Sequence, residues 1–209
     1  MDHAVALVQA YLQTNGYFTV AEYPVLSTLP AGGYQSATDV DLLALRLGRA
    51  GGVVAAGDAV GGRPPFEPDP ALAIPSGTAD LLLIEVKEGR AELNRGARDA
   101  RVLEAVLSRF GLGEHPKRDR SLAELGRTGR ARWPGGVWVR LLAFGSTVDP
   151  AVVDGFLALS LTHVTRYLDE YIRDNWDALR HAHIRQEAFG FLALLEQVRR
   201  ARLAQRLDE

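Results

Sequence analysis

Cysteine is absent from this 209-residue chain. That excludes disulfides, cysteine-ligated zinc or iron–sulfur sites and a thiol nucleophile, and it fits a reducing compartment. No apolar run approaches the ~20 residues that a membrane-spanning helix needs, so no membrane partner is expected. The opening MDHAVALVQAYLQ has neither a basic region nor a small-residue cleavage site, so no secretory signal is expected and the expected location is the cytoplasm. A phosphate loop, a dinucleotide fingerprint and a serine nucleophile motif are also missing. Histidine is sparse. His181 and His183 are two apart on an expected helix and so face different directions, while His3, His115 and His163 lack ligand partners at useful spacing. Scarcest among the charged residues is lysine: only Lys87 and Lys117, against 22 arginines.

What is present points to a globular chain of one domain with an appendage, 47% hydrophobic and with a formal net charge of −2. That charge is unevenly spread. Residues 1–86 carry a balance of −6, residues 87–140 one of +6, and residues 141–209 one of −2. The basic stretch holds Lys117, Arg118, Arg120, Arg127, Arg130 and Arg132, with Trp133 beside it. Clustered cations with an aromatic neighbour suit a nucleic-acid backbone; the plainer reading is a solvated helix face.

Lys87 lies in the apolar run DLLLIEVKEG. A chain that writes arginine wherever a plain positive charge suffices keeps an ammonium here, a compact point charge that can hold a water or a phosphate oxygen. Side chains alternate along a strand, so Glu85 and Lys87 share one face and Asp80 faces the other way. Upstream, TDVDLLALRL places Asp39 and Asp41 two apart. If the two runs are neighbouring strands, Asp41, Glu85 and Lys87 meet at one spot. Two carboxylates there would suit a hard divalent cation with an ammonium beside it.

The pair Asp39-Val40-Asp41-Leu42-Leu43-Ala44 and Ile84-Glu85-Val86-Lys87 resembles the PD-(D/E)xK nuclease superfamily. The resemblance covers roughly residues 1–147 in element order: helix, strand, Asp strand, Glu-x-Lys strand, helix, strand. It implies a restriction-endonuclease-like α/β fold, a mixed sheet flanked by helices. It also implies Mg²⁺ (or Mn²⁺) held by Asp41, Glu85 and the Val86 carbonyl, with Lys87 acting on water or on transition-state charge. Many members carry a glutamate in the first helix, where this chain offers Gln9; Gln9 and Asp39 are then candidates for assisting from behind the ligands. The expected activity is hydrolysis of phosphodiester bonds, of DNA more than RNA. The alternative is the same fold with an eroded site, kept to bind nucleic acid or a protein partner.

Along the chain the expected elements are a helix over Met1–Asn15, strands over Tyr17–Val25, Thr38–Leu47, Asp80–Lys87 and Val137–Phe144, and a helix over Ala91–Phe110. Residues 48–78, rich in Gly and Pro, read as a flexible insertion with room for a short strand such as Val53–Ala56, and Glu114–Gly136 as a polar basic connection. From Asp149 or Pro150 onward a helical region is expected. This gives a nuclease-like domain over 1–147 and a C-terminal helical extension over 148–209. The extension's stripes, Val153, Phe156, Leu157, Leu161, Val164, Leu168, Tyr171 and Ile172, then Phe189, Leu192, Leu195 and Val198, offer a homodimer interface through the C-terminal helices.

Overall fold

The computed structural model describes residues 2–29, 32–48, 50, 67–114, 116–151, 153, 155–182 and 184–207. Helix α1 (His3–Thr14) starts where the Asp2 carboxylate accepts the Ala4 N–H at 2.8 Å and stops at Asn15 and Gly16, whose φ of 83° favours glycine. Strands β1 (Phe18–Thr28) and β2 (Tyr34–Arg46) form an antiparallel hairpin, and β3 (Asp80–Arg90) pairs antiparallel with β2. Next come α2 (Ala100–Arg109), α3 (Arg118–Thr128), β4 (Arg130–Arg132) and β5 (Trp138–Thr147). β5 returns parallel to β3, as a helical crossover allows. The sheet order is β1-β2-β3-β5-β4, and β6 (Leu157–Ser160) pairs parallel with β5 beyond the end of β4. Helices α4 (Leu161–Asp174), α5 (Trp176–Leu179) and α6 (Glu187–Leu207) complete the chain.

The result is the expected α/β arrangement, a six-stranded mixed sheet flanked by helices. Leu42, Ala44, Leu82, Ile84, Leu142 and Phe144 pack on one face beneath α1, α4 and α6. Leu43, Leu81, Leu83, Val139 and Leu141 pack on the other beneath α2 and α3. No helix among the described residues is long and apolar enough to cross a membrane.

Three expected elements differ. The helix over Ala91–Phe110 is a 3-10 turn at Gly96–Arg98 followed by α2, because Asn94 caps the Ala97 N–H at 2.7 Å and Asp99 caps the Arg101 N–H at 2.8 Å, each opening its own element. The basic connection folds as α3 and β4. The C-terminal region does not open as a helix at Asp149 or Pro150: Leu157–Ser160 first adds β6 to the sheet, and Ser160 then caps α4 by accepting the His163 N–H at 3.1 Å. Leu157, Leu159, Val164, Leu168 and Phe189 share one core with α1, so residues 148–209 contribute to the central sheet and its packing.

Of the Gly/Pro-rich segment, residues 51–66 and the strand expected at Val53–Ala56 lie outside the described residues. The part that follows is tied down by Asp69. Its carboxylate accepts the Tyr11 hydroxyl at 2.7 Å and the Ala71 N–H at 2.9 Å and meets His163 Nε2 at 2.6 Å. Burial alone would raise the Asp69 pKa, but these partners outweigh it and hold the carboxyl below the ordinary aspartate value.

Asp80, at the start of β3, faces away from Glu85 as alternation requires, and it is fully buried. Arg140 of β5 meets it with two bonds, 2.9 and 2.6 Å, and the Tyr17 hydroxyl donates at 2.5 Å. Arg140 also donates to the Leu72 carbonyl at 2.9 Å, so the buried pair holds the segment before β3. Removing one member strands the other charge. Asp80→Ala and Arg140→Ala should each lower unfolding free energy by about 3–5 kcal/mol in urea titrations, while Asp80→Leu combined with Arg140→Met should cost much less than the two losses together. Additive losses would show that the pair is not a coupled unit.

Candidate active site

The β2–β3 ladder runs from Arg46↔Asp80 to Leu42↔Ile84 and there stops. The next rung is supplied by a side chain: Asp41 Oδ2 accepts the Val86 N–H at 2.7 Å. Opposite Asp41 on β1, between the pairs Ala21↔Leu42 and Tyr23↔Val40, Glu22 takes φ 53°. Alternation slips here, since Val40 and Leu43 pack in the same core while Leu42 lies on the other side. The slip turns the Asp41 carboxylate toward the end of β3.

There it meets Glu85 and Lys87. The Lys87 ammonium donates to Glu85 Oε2 at 3.0 Å and stands 3.9 Å from Asp41 Oδ2, so one cation serves two carboxylates. Glu85 is only 3% exposed, whereas Lys87 and Asp41 reach solvent. Burial raises the Glu85 pKa above the usual glutamate value; Lys87 draws it back, Asp41 pushes it up, and the Asn94 side chain, hydrogen-bonded to it, lowers it. Partial burial depresses the Lys87 ammonium, but Glu85 and Asp41 outweigh that and hold its pKa above the usual lysine value.

Asn94 is a member that sequence reasoning missed. Its amide contacts Glu85 while its Oδ1 accepts the Ala97 N–H, so one side chain starts the 3-10 turn and fixes the carboxylate. The signal was available: asparagine inside an expected helix is better placed at a cap. The turn stays close because a Cβ on Gly96 would press on Thr38 Oγ1 at 3.2 Å, and one on Gly145, opposite Lys87, would overlap the Ala91 backbone.

The other expected residues are placed elsewhere. Asp39 is exposed, across from Pro24, and the slip at Asp41 breaks the strict alternation that put the two aspartates on one face. Gln9 donates to Thr19 Oγ1 at 3.1 Å; Thr19 pairs with Ala44, away from Asp41. Among the described residues no three His, Asp or Glu side chains gather around a common point. Two carboxylates and a carbonyl still fit Mg²⁺, which is commonly held by one or two carboxylates and completed by water and substrate phosphate. The carboxylates also outnumber the ammonium, leaving negative charge to neutralise.

Arg130 of the basic stretch does not border this cluster. Arg130 pairs with Arg140 and Lys87 with Gly145, so Arg130 lies five rungs along β5 and two strands across, about 20 Å from Lys87. Arg120, Arg127, Arg130 and Arg132 are exposed, while Arg118 is paired with Glu104 at 2.7 Å and with Asp119. Exposed Lys117 precedes α3. Trp133 cannot stack on a base: it is buried, and its ring N–H donates to the Leu112 carbonyl at 2.9 Å. His163 is a satisfied polar residue, its Nε2 held 2.6 Å from Asp69; His115 and His183 lie outside the described residues. No family model, no curated protein and no solved structure matches the chain.

The buried glutamate has a pH signature. Because its pKa is higher in the folded state, the folded protein binds this proton more tightly, and stability falls as pH rises from the ordinary glutamate value through the raised one. Measured by urea unfolding across that window, Glu85→Gln should therefore gain on wild type as pH increases and level off above it. A difference independent of pH would remove Glu85 as a strained carboxylate.

Proposed function

We propose that the chain is a metal-dependent nuclease of the PD-(D/E)xK type, hydrolysing phosphodiester bonds of DNA in preference to RNA. The observation that carries this reading is the Asp41–Glu85–Lys87 cluster, in which a buried carboxylate and a half-exposed one share a single ammonium at the open end of a central strand. The order α1, β1, β2, β3, α2, β5 supports it, as does the antiparallel β2–β3 pair that brings the two motif strands together.

Asp41, Glu85 and the Val86 carbonyl would hold Mg²⁺. When bound, such an ion polarises a phosphoryl oxygen and acidifies an attacking water. Lys87 would orient that water and stabilise the charge that gathers on phosphorus-bound oxygens in the transition state. Asn94 keeps Glu85 aimed, and the Val86 N–H keeps Asp41 aimed, so neither carboxylate has to be ordered at the moment of reaction. Arg120, Arg127, Arg130 and Arg132 would hold the backbone away from the cut, Arg130 about 20 Å from Lys87, a distance that a bound duplex spans.

Three measurements test this. Mn²⁺ or Mg²⁺ should raise the melting temperature of wild type, and Asp41→Asn should abolish the shift while keeping the fold; an equal response in both sinks the ion assignment. Lys87→Ala and Lys87→Arg should each cut cleavage by orders of magnitude with little change in affinity. Arg127, Arg130 and Arg132 changed together to Ala should weaken binding to all sequences and reduce the log–log salt slope by about 0.9 per lost contact on duplex DNA. Salt-sensitive binding with no cleavage in any divalent ion would replace the enzyme by an eroded module. Neither binding nor cleavage on duplex, single-stranded and branched substrates would end the nucleic-acid reading.

A further inference from the structure

The apolar stripe expected on the last helix divides in two. Nine residues of α-helix turn through two and a half turns, so Phe189 and Val198 lie on opposite sides. Phe189 is buried, its ring edge-on to Tyr171 at 6.3 Å, and it faces the core under α1 and α4. Glu196, also on that side, is buried and tied to Arg199 at 2.9 Å and Arg200 at 2.6 Å. On the outer side Phe191 is 61% exposed, Leu194 53%, Leu195 45% and Val198 42%. A helix apolar on two opposite faces has one face too many for a lone chain. Leu194, Leu195 and Val198 follow Phe191 by three, four and seven residues, so the four exposed side chains share one side of the helix.

The spacing of the outer stripe says what covers it. Phe191, Leu195 and Val198 fall at d, a and d of a heptad, and Leu194 flanks them. Glu187 precedes the stripe and Arg202 follows it; both are exposed, and neither forms an ion pair among the described residues. Turned about a two-fold axis between Leu194 and Leu195, the stripe complements itself. Phe191 then meets Val198 of the other copy, Leu194 meets Leu195, and Glu187 meets Arg202 at both ends. A parallel pairing would instead set Arg202 of the two copies side by side. We propose that α6 is the interface of a two-fold homodimer in which the helices of two copies pack antiparallel. The apolar patch supplies the centre of such an interface and the charged residues its rim. Nothing in this proposal rests on the nuclease reading.

Sedimentation equilibrium on the full chain tests it. Wild type should reach twice the monomer mass at high micromolar concentration. Leu195→Glu should remain monomeric with an unchanged circular dichroism spectrum, since Leu195 is already half exposed in one chain. Glu187→Arg and Arg202→Glu should each weaken the dimer at low salt, and the two together should restore it. The lack of native cysteine allows single-site cross-linking: Leu194→Cys should form an intermolecular disulfide, and Glu187→Cys should not, because antiparallel packing holds the two copies of position 187 about 22 Å apart. A monomeric wild type, a dimer indifferent to Leu195→Glu, or a disulfide through Glu187→Cys overturns the proposal.

Discussion

The rest of the structure depends on the burial of β3. It is paired on both edges and covered on both faces, and every residue from Asp80 to Val86 is buried. Its backbone pairs in two ladders, with Asp41 accepting the Val86 N–H where one of them stops, so its cost lies in its two acidic side chains, one near each end. An uncompensated ion there costs several kcal/mol, and the chain meets that cost differently at each end. Around Asp80 the compensation is closed: a guanidinium makes two bonds, a tyrosine hydroxyl a third, and the guanidinium itself is held by the Leu72 carbonyl. Around Glu85 it is incomplete. One ammonium stands against two carboxylates, and burial still holds the Glu85 proton more tightly than water would.

That asymmetry leaves one end of the strand sealed and the other open. The Asp80 end ties β3 to β5, to Tyr17 just before β1 and to the segment before the strand, and it is sealed from solvent. The Glu85 end opens where the β2–β3 ladder stops, and the groups around it are held in place by bonds spent on orientation. Asp41 takes a backbone N–H and Asn94 takes both a carboxylate and a helical N–H. A site whose donors are already fixed can accept a cation with little reorganisation.

Much of this was legible from two strand motifs. Period-two alternation put Glu85 and Lys87 on one face and Asp80 on the other, and the arginine-rich composition drew attention to Lys87. What escaped was whatever tertiary contacts decide. Asp39 was grouped with Asp41 on the assumption of strict alternation, which the slip beside Glu22 breaks. The basic stretch follows Glu85 and Lys87 in sequence, but the crossover through α2 and α3 carries Arg130 two strands away. Trp133 beside arginines looked like a stacking surface, yet a large ring with an N–H donor finds both burial and a partner at the Leu112 carbonyl. Leu157–Ser160 was read as helix because four residues hold no period; only an open edge on β5 makes them a strand.

That edge bears on how the fold handles its exposed surfaces. β4 covers Trp138–Arg140 and β6 covers Leu142–Gly145, so two separate segments close one side of β5. A Cβ on Gly129 would overlap the Gly155 carbonyl, which shows how tightly the two segments abut. Among the described residues nothing pairs with the opposite edge, β1, which carries exposed Phe18, Val20 and Leu26. It is a poor template for another strand: Pro24 lacks a donor, Glu22 departs from extended geometry, and the register shifts after Val25. Those features blunt β1 against pairing. The outer face of α6 carries no such device between Phe191 and Val198, and its charges stand only at the two ends, where an antiparallel copy would meet them. Of the two apolar surfaces, the fold guards one and leaves the other complementary to itself.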